Sequence, residues 1–247
     1  MERIDKILVS NGFFNSRAKA EEAIINKIVK VNDTIVDKPG KKIDPSSAIE
    51  ITRLEKQYVS RGAIKLKHAL SSFKIDVNNL ILMDLGASTG GFTEVLLENN
   101  CNKVFCVDVG TGQLNDVILK NNKIVNLEKT HIKDLKTHTI GVLLDGIVID
   151  LSFISLLKVI KQLPKFLKHD GFIIALIKPQ FEVGKNNLSK KGIVKDQNLY
   201  PQVISAIQKN AEEFGFNWID LCESPIKGGD GNKEFLCYLR KTSSMNI

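Results

Sequence analysis

The chain has 247 residues, of which 43% are hydrophobic and 26% are charged, as in ordinary globular proteins. Its formal net charge is +7, which permits a polyanionic partner without requiring one. The longest apolar run, Phe172 to Ile177, is far shorter than the roughly 20 residues of a membrane-spanning helix, and the first residues carry no apolar signal segment. The four cysteines form no Cys-x-x-Cys pair, so we expect reduced thiols, a cytoplasmic protein and no metal site.

Residues 1–58 are predicted to form a small α+β domain. Ser16 is a good N-cap for the helix that follows it. Two short strands flank an Asn-Asp turn within residues 28–36, and a further strand is expected at 48–52.

This first domain resembles the S4 RNA-binding domain. The residues that carry the resemblance are Arg3, Asp5, Leu8, Ser16, Arg17, Ala20, Ile24, Val29, Val31 and Asn32. In that family the helix with the Ser-Arg step and the strand after it form a surface for structured RNA. The resemblance implies phosphate contacts from Arg3, Arg17, Lys19, Lys27 and Lys30. The nearly balanced charge of residues 1–60 leaves open a small capping domain with scattered lysines.

Residues 59–247 are predicted to form an α/β domain. Strands are expected at 80–84, 103–108, 123–128, 145–150, 172–178, 217–222 and 234–240, and helices at 91–99, 112–120, 154–168 and 197–214. Alternating strands and helices imply a parallel sheet with right-handed crossovers, and two final strands without a helix between them imply a terminal antiparallel hairpin. A seven-stranded Rossmann-like sheet of this kind is the common architecture of methyltransferases.

A glycine-rich turn follows the first strand of that sheet, in the segment Asp84-Leu-Gly-Ala-Ser-Thr-Gly-Gly-Phe-Thr93. Its glycines let the backbone turn tightly against a ligand, and the next strand ends in Asp108, where ribose hydroxyls would arrive. The turn lacks the Gly-x-Gly-x-x-Gly of dinucleotide sites and the Gly-Lys-Ser/Thr of a P-loop. A glycine turn with a downstream acid and no phosphate cradle favours S-adenosylmethionine, with an ordinary βα turn as the alternative.

Four charged residues are expected at or near the carboxyl edge of the sheet. Asp150 and Lys178 end apolar strands, Glu234 begins the last strand, and Lys65 lies on the helix before the first strand. A charge at such a place is costly if it is buried without a partner, so the set predicts a mutual network at a cleft. Each of them taken singly is more often a solvated charge at a strand end.

Positive charge forms two denser runs. One surrounds Arg61, for which we expect an RNA contact, and the other extends from Lys178 to Lys195. A solvated surface is the usual meaning of such a run.

Six separated motifs resemble those of the TlyA family, whose members are often labelled hemolysin A and join an S4 domain to an FtsJ-like ribose methyltransferase. The motifs occupy residues 58–66, 84–93, 108–114, 150–156, 178–184 and 231–236. The resemblance places the family's catalytic Lys-Asp-Lys-Glu tetrad on Lys65, Asp150, Lys178 and Glu234. It places contacts to S-adenosylmethionine on Asp84, Gly86, Ser88, Thr89, Gly90, Gly91, Phe92, Asp108, Gln113 and Glu128.

The resemblance gives the tetrad a chemical role. A ribose 2′-hydroxyl is a very weak acid, so a lysine must accept its proton or orient it while supporting the developing charge. We assign that role to Lys178, with Lys65 as the hydroxyl and charge partner and the two carboxylates holding the ammonium groups. The chain departs from the family at Ala63, where glycine is usual, and at 131–133, where Asn-x-Arg is common. His131 receives no role.

The implied function is a ribosomal RNA 2′-O-methyltransferase acting on a cytidine of the large subunit, with the small subunit open as a second target. Ribosomal RNA or ribosomal subunits are the expected partner, and the oligomeric state is left open. An amino methyltransferase is a weaker alternative, because the segment after Asp150 lacks the prolines usual in those enzymes. A non-catalytic RNA-binding assembly factor and a pore-forming hemolysin are the others.

Overall fold

A computed structural model describes residues 1–25, 28–51, 58–229 and 231–242 of the chain. The chain divides into two compact units, Met1–Gln57 and Tyr58–Ile247. No helix among the described residues is long and apolar enough to cross a bilayer.

The first unit contains two helices and two small antiparallel sheets. Its elements are β1 (Glu2–Arg3), α1 (Ile4–Ser10), α2 (Arg17–Ile25), β2 (Val29–Val31), β3 (Thr34–Ile35), β4 (Lys42–Ile43) and β5 (Ile49–Ile51). The strands pair in the order β3-β2-β5, and β1 pairs with β4. Asn32 and Asp33 both have positive φ angles, 46° and 62°, as a two-residue turn between β2 and β3 requires.

Helix α2 begins as predicted, because Ser16 Oγ accepts a hydrogen bond from the backbone N–H of Lys19 at 3.4 Å. Helix α1, by contrast, is absent from the sequence-based prediction. It packs against α2 through Ile4, Ile7 and Leu8, and these side chains form the core of the unit with Ala20, Ala23, Ile24 and Val29.

The second unit is a seven-stranded sheet between two layers of helices. Its elements are α3 (Gly62–Ser72), β6 (Ile81–Leu85), α4 (Gly91–Glu98), β7 (Lys103–Val107), α5 (Asp116–Leu119), β8 (Ile124–Leu127), α6 (Thr137–Ile140), β9 (Leu144–Ile149), α7 (Leu156–Ile160), β10 (Leu167–Ile177), α8 (Leu199–Glu213), β11 (Phe216–Glu223) and β12 (Phe235–Lys241). The strand order is β11-β12-β10-β9-β6-β7-β8. Five strands are parallel, and β12 runs antiparallel to both β10 and β11. The predicted fold class is confirmed.

Both faces of the sheet are buried, which explains why its strands are apolar without alternation. On β6, Met83 and Leu85 pack on the side of α7 and α8, whereas Leu82 packs on the side of α3 and α4.

Two predicted helices are wrong in extent. The segment 154–168, expected to be one helix, instead contains three elements: α7, a short 3₁₀ turn at Pro164–Phe166 and the start of β10. The helix cannot continue through Pro164, because proline has no backbone N–H to donate. The helix expected at 112–120 is reduced to α5, since Gly112 has a φ of +63° and the side chain of Asn115 caps the helix at Val117 N.

Candidate active site

Three neighbouring strands deliver charged side chains to one edge of the sheet. In β10 and β9, Ala175 is paired with Ile149, so Asp150 and Lys178 both leave the sheet at its carboxyl edge. Because β12 is antiparallel to β10, its first residue pairs with Ile177 at the same edge. Glu234, which precedes it, therefore arrives beside Lys178.

The first ion pair joins Lys178 to Asp150. Their Nζ and Oδ1 atoms are 2.6 Å apart, and Lys178 Nζ also donates a hydrogen bond to Ser152 Oγ at 2.8 Å. The lysine side chain is 11% exposed and the aspartate side chain 20% exposed. Both residues line a cavity of about 180 Å³, whose other walls include Ser60, Gly62 and the glycine-rich turn. This pair is therefore open to a ligand.

The second ion pair joins Lys65 to Glu234. Lys65 Nζ donates to Glu234 Oε2 at 2.6 Å, and the side chains are only 9% and 2% exposed. A Cβ at Gly228 would lie 2.5 Å from Glu234 Oε1, so glycine is needed where this loop passes the carboxylate. Neither Lys65 nor Glu234 lines the cavity beside Lys178.

Helix α3 links the two pairs. Lys65 lies one turn after Gly62, and a Cβ at Gly62 would lie 3.6 Å from Asp150 Oδ2. The structure thus gathers Lys65, Asp150, Lys178 and Glu234 around the start of α3, as two separate ion pairs. Their roles in a reaction remain predictions.

The glycine-rich turn packs closely on this group. Gly86 has a φ of +89°, and a Cβ there would lie 2.5 Å from the backbone oxygen of Asp150. Gly90 has a φ of +97°, and a Cβ at Gly91 would overlap Ser60 Oγ. A side chain at Gly86 would push the turn away from the end of β9, one at Gly91 would push it away from Ser60 just before α3, and one at Gly90 would meet Leu114 and Ile118.

Asp84 stabilises the turn through hydrogen bonds to Thr93 on α4. Its side chain is completely buried, and its Oδ2 accepts hydrogen bonds from Thr93 N at 2.9 Å and Thr93 Oγ1 at 2.6 Å. Burial raises the pKa of this carboxyl to about 7, and repulsion from Asp150 and Asp108 adds to the shift. Asp84 was predicted as a cofactor contact, but it ties the turn to α4 and lines neither the cavity beside Lys178 nor the cleft beside Asp108.

A larger cleft of about 570 Å³ extends from the turn along the ends of β6, β7 and β9. On one side Asp108 accepts hydrogen bonds from Ser88 N at 2.8 Å and Gly110 N at 2.7 Å, which fixes its carboxylate at the cleft wall. The other walls are mainly apolar and include Val107, Val109, Ile132, Leu151, Phe153 and Ile154, while Asp150 and Ser152 line this cleft as well as the smaller cavity. The cleft thus combines an acid with flat apolar surface.

Other predicted cofactor residues fall into three groups. Gly86, Ser88, Asp108 and Gln113 line the larger cleft, and Gly86, Ser88, Thr89, Gly91 and Phe92 line the smaller one. Gly90 and Glu128 line neither. Hydrogen bonds from Asn126 Nδ2 and Gly112 N occupy the carboxylate of Glu128 and hold its pKa below the usual range. Glu128 therefore shapes the loop beside the cleft.

Several cleft residues were missed in the sequence. His131 received no role, yet it lines the larger cleft with Thr130. Phe153 is 92% exposed with a φ of +64°, and its ring centroid lies 5.3 Å from that of Phe181. Both Ser152 and Phe153 lie in the motif 150–156, but an aromatic residue in an apolar run is more often part of a core.

The predicted RNA contacts of the first unit differ in whether their side chains are bound to carboxylates of the protein. The buried Asp5 carboxylate binds Arg3 at 2.7 Å and Arg17 at 2.8 Å, and these guanidinium groups hold its pKa well below the usual range. Lys19 is exposed, and Lys30 Nζ lies 3.6 Å from Glu50. Lys27 lies outside the described residues.

Arg61, the RNA contact predicted in the second unit, is exposed at the start of α3. Its position beside Gly62 places it next to the smaller cavity.

Comparison with known families matches both units. The profile of the FtsJ-like methyltransferases matches residues 58–241, and the profile of the S4 domain matches residues 2–49. The 16S/23S rRNA (cytidine-2′-O)-methyltransferase TlyA of Mycobacterium tuberculosis is 39% identical over 96% of this chain and 89% of its own length. Hemolysin A of Brachyspira hyodysenteriae is 36% identical over 96% of this chain and 98% of its own.

A solved structure agrees with these relatives. A protein from Streptococcus thermophilus that carries the name hemolysin superimposes with a TM-score of 0.75 at 37% identity, covering 98% of this chain and 89% of its own. Five more distant solved structures with the same fold, at 13–19% identity, are methyltransferases by name, and two of them are named as dependent on S-adenosylmethionine.

Proposed function

The chain belongs to the TlyA family of FtsJ-like methyltransferases, and we propose that it transfers a methyl group from S-adenosylmethionine to the 2′-hydroxyl of a cytidine in ribosomal RNA. The large subunit is the expected target, with the small subunit as a second one, and the cytoplasm, where ribosomes assemble, is the expected place. The S4 domain supports an RNA substrate, since it is the part of the chain built to contact structured RNA.

The larger cleft fits the methyl donor. Asp108 stands at the end of β7, where a carboxylate can accept hydrogen bonds from both ribose hydroxyls, while Ile132, Leu151 and Phe153 offer apolar surface to an adenine ring. The turn at Gly86 and Ser88 lines both this cleft and the smaller cavity, which joins the two spaces. When bound there, S-adenosylmethionine supplies an electrophilic methyl group.

The chain's own contribution is to position and activate the hydroxyl. We assign the smaller cavity to the target ribose, because it lies between the glycine-rich turn and Lys178. There Lys178 either accepts the hydroxyl proton or, as an ammonium group, orients the oxygen and stabilises its growing negative charge. Asp150 holds the lysine at 2.6 Å and Ser152 fixes it from a second side.

One observation carries this proposal: the ion pair between Lys178 and Asp150 is open to the cavity beside the glycine-rich turn. An amino methyltransferase would not need a cation there, because an amine is already nucleophilic once it is neutral. A ribose hydroxyl requires a group that removes or stabilises charge at the attacking oxygen.

The test is the chemical form of the product. Large ribosomal subunits from cells that lack this gene are incubated with the protein and methyl-labelled S-adenosylmethionine, and the RNA is then hydrolysed with alkali. A 2′-O-methyl group blocks cleavage of the adjacent phosphodiester, so we expect the label in an alkali-resistant dinucleotide whose first residue is cytidine. Label in mononucleotides would indicate base methylation and would overturn the proposal.

A matched pair of variants separates catalysis from binding. Lys178→Ala should bind the subunits and leave them unlabelled, whereas Lys158→Ala, on the exposed side of α7, should label them like the wild type. Equal labelling by both variants would mean that the open ion pair has no part in the reaction.

A further inference from the structure

A small hairpin follows Lys178 in the chain and presents two lysines. We call residues 188–195 the lysine hairpin. Leu188 and Val194 form its β-bridge, Ser189 N donates to Ile193 O at 2.8 Å, and Gly192 N donates back to Ser189 O at 2.9 Å. Its tip is Lys190-Lys191, and both side chains are exposed. The hydrogen bonds define the shape of the tip without using either lysine.

A buried asparagine ties this hairpin to the site. Asn232 is only 1% exposed, its Oδ1 accepts from Val194 N at 3.0 Å, and its Nδ2 donates to Gly192 O at 3.0 Å. Asn232 stands two residues before Glu234, whose carboxylate binds Lys65. The loop that delivers Glu234 to the buried ion pair therefore also fixes the base of the hairpin.

The positive charge of the lysine hairpin indicates an anionic partner. Residues 183–195 contain four lysines and no acid. Within the described ranges, Lys190 and Lys191 take part in no ion pair. Two adjacent cations repel each other, and here the buried side-chain amide of Asn232 holds them on an ordered tip. A phosphate backbone is the partner that neutralises such a pair.

We propose that the lysine hairpin docks the RNA substrate next to the reaction site and that Asn232 is its positioning residue. The proposal rests on the proposed function, since the substrate must be RNA. The tip gives non-specific phosphate contacts that set the approach of the RNA, and base recognition lies elsewhere. Asn232 acts only through the hairpin and does not touch the RNA.

The test measures binding, so that it needs no methyl transfer. Large ribosomal subunits from cells that lack this gene are titrated with the K190Q/K191Q variant in S-adenosylhomocysteine, from 50 to 200 mM salt at constant Mg²⁺. We expect the affinity to fall about tenfold and the slope of log K against log salt to decrease by about 1.5, for two lost phosphate contacts. The control is K103Q/K120Q, with two exposed lysines at the opposite edge of the sheet.

The outcomes separate the two proposals. If K190Q/K191Q keeps the affinity and salt slope of K103Q/K120Q, the hairpin is not a docking surface, whatever the enzyme methylates. If even the wild type does not bind the subunits, the hairpin proposal and the proposed substrate are both overturned.

A double-mutant cycle tests Asn232. N232A should weaken binding on its own, but it should add no further loss in the K190Q/K191Q background, because it acts through those lysines. Hydrogen exchange at Val194 should speed up in N232A and stay unchanged in K190Q/K191Q. Additive losses of affinity would reduce Asn232 to a structural residue and overturn its positioning role.

Discussion

The two ion pairs of the site each join a lysine to a carboxylate, but only one of them lines the cavity beside the glycine-rich turn. Lys65 and Glu234 are almost entirely buried and joined by a hydrogen bond, whereas Lys178 and Asp150 stand at a cavity with water access. Lys178 also makes a hydrogen bond to Ser152, a second contact that keeps its ammonium group at the cavity wall. We therefore assign the chemistry to the open pair and the support of α3 to the buried one.

The two ion pairs should also differ in how much stability is lost when one partner is removed. A buried ion pair gains little over an apolar pair of the same volume, but it is costly to break, because one charge is then left without a partner. In the open pair Lys178 has a second polar partner, Ser152, so losing Asp150 should cost less stability. Function and stability should therefore respond to different members of the tetrad.

The largest effect is expected at the open lysine. Replacing Lys178 by Ala should lower the rate of methyl transfer about 10³-fold, because no other cation lines the smaller cavity among the described residues. Affinity for S-adenosylmethionine should stay within a few-fold of the wild type, since the larger cleft is lined by other residues. Single-turnover kinetics and calorimetric titration measure the two quantities. A wild-type rate would remove Lys178 from the reaction.

The next effect is on stability and belongs to the buried pair. Glu234→Ala should lower the free energy of unfolding by about 3–5 kcal/mol, because Lys65 is left buried and unpaired. Asp150→Ala should lower it by less, because Lys178, although only 11% exposed, keeps its hydrogen bond to Ser152 at the cavity wall.

Urea unfolding measures both variants. The Lys65→Met/Glu234→Met double variant is the control, since removing both charges should restore most of the lost stability. A larger loss for Asp150→Ala than for Glu234→Ala would reverse the contrast between the pairs.

A pH-dependent effect is expected beneath the open pair. The pKa of Asp84 is about 7 in the folded protein and near 3.8 in the unfolded chain, so the folded state holds a proton that the unfolded state releases. Its contribution to stability is complete below pH 4 and is lost as the pH rises from 4 to 7. Asp84→Asn cannot lose that proton.

The Tm of Asp84→Asn should therefore rise relative to the wild type between pH 4 and pH 7 and show no further gain above it. Asp116→Asn, at an exposed carboxylate on α5, controls for the loss of a charge. A Tm difference that is the same at pH 5 and pH 8 would show that Asp84 is ionised in the folded protein.

Much of the fold could be predicted from the sequence. Apolar runs of strand length, each followed by a helical pattern, indicate the seven strands, and Asp150 and Lys178 stand where those runs end. The pairing of the tetrad could not be predicted. It depends on β12 pairing with β10 and on α3 bringing Lys65 to Glu234, and both are contacts between residues far apart in the sequence.

The errors have local causes. Helix α1 was missed although Ile4, Ile7 and Leu8 have helical spacing, because the segment is only two turns long. Phe153 was missed because its exposure depends on a positive φ that an aromatic residue rarely adopts. The orientation of Asp84 toward Thr93 on α4 could not be predicted, because a shift of one residue decides which side of the strand end an acid faces.

Chemical rescue tests the central claim, that the open lysine acts on the substrate and the buried one does not. Methylamine at about 0.1 M is added to Lys178→Ala and to Lys65→Ala during methyl transfer. The open site can admit an amine from solution, so we expect at least a tenfold rise in rate for Lys178→Ala and none for Lys65→Ala. Rescue of Lys65→Ala alone, or equal rescue of both variants, would contradict the account.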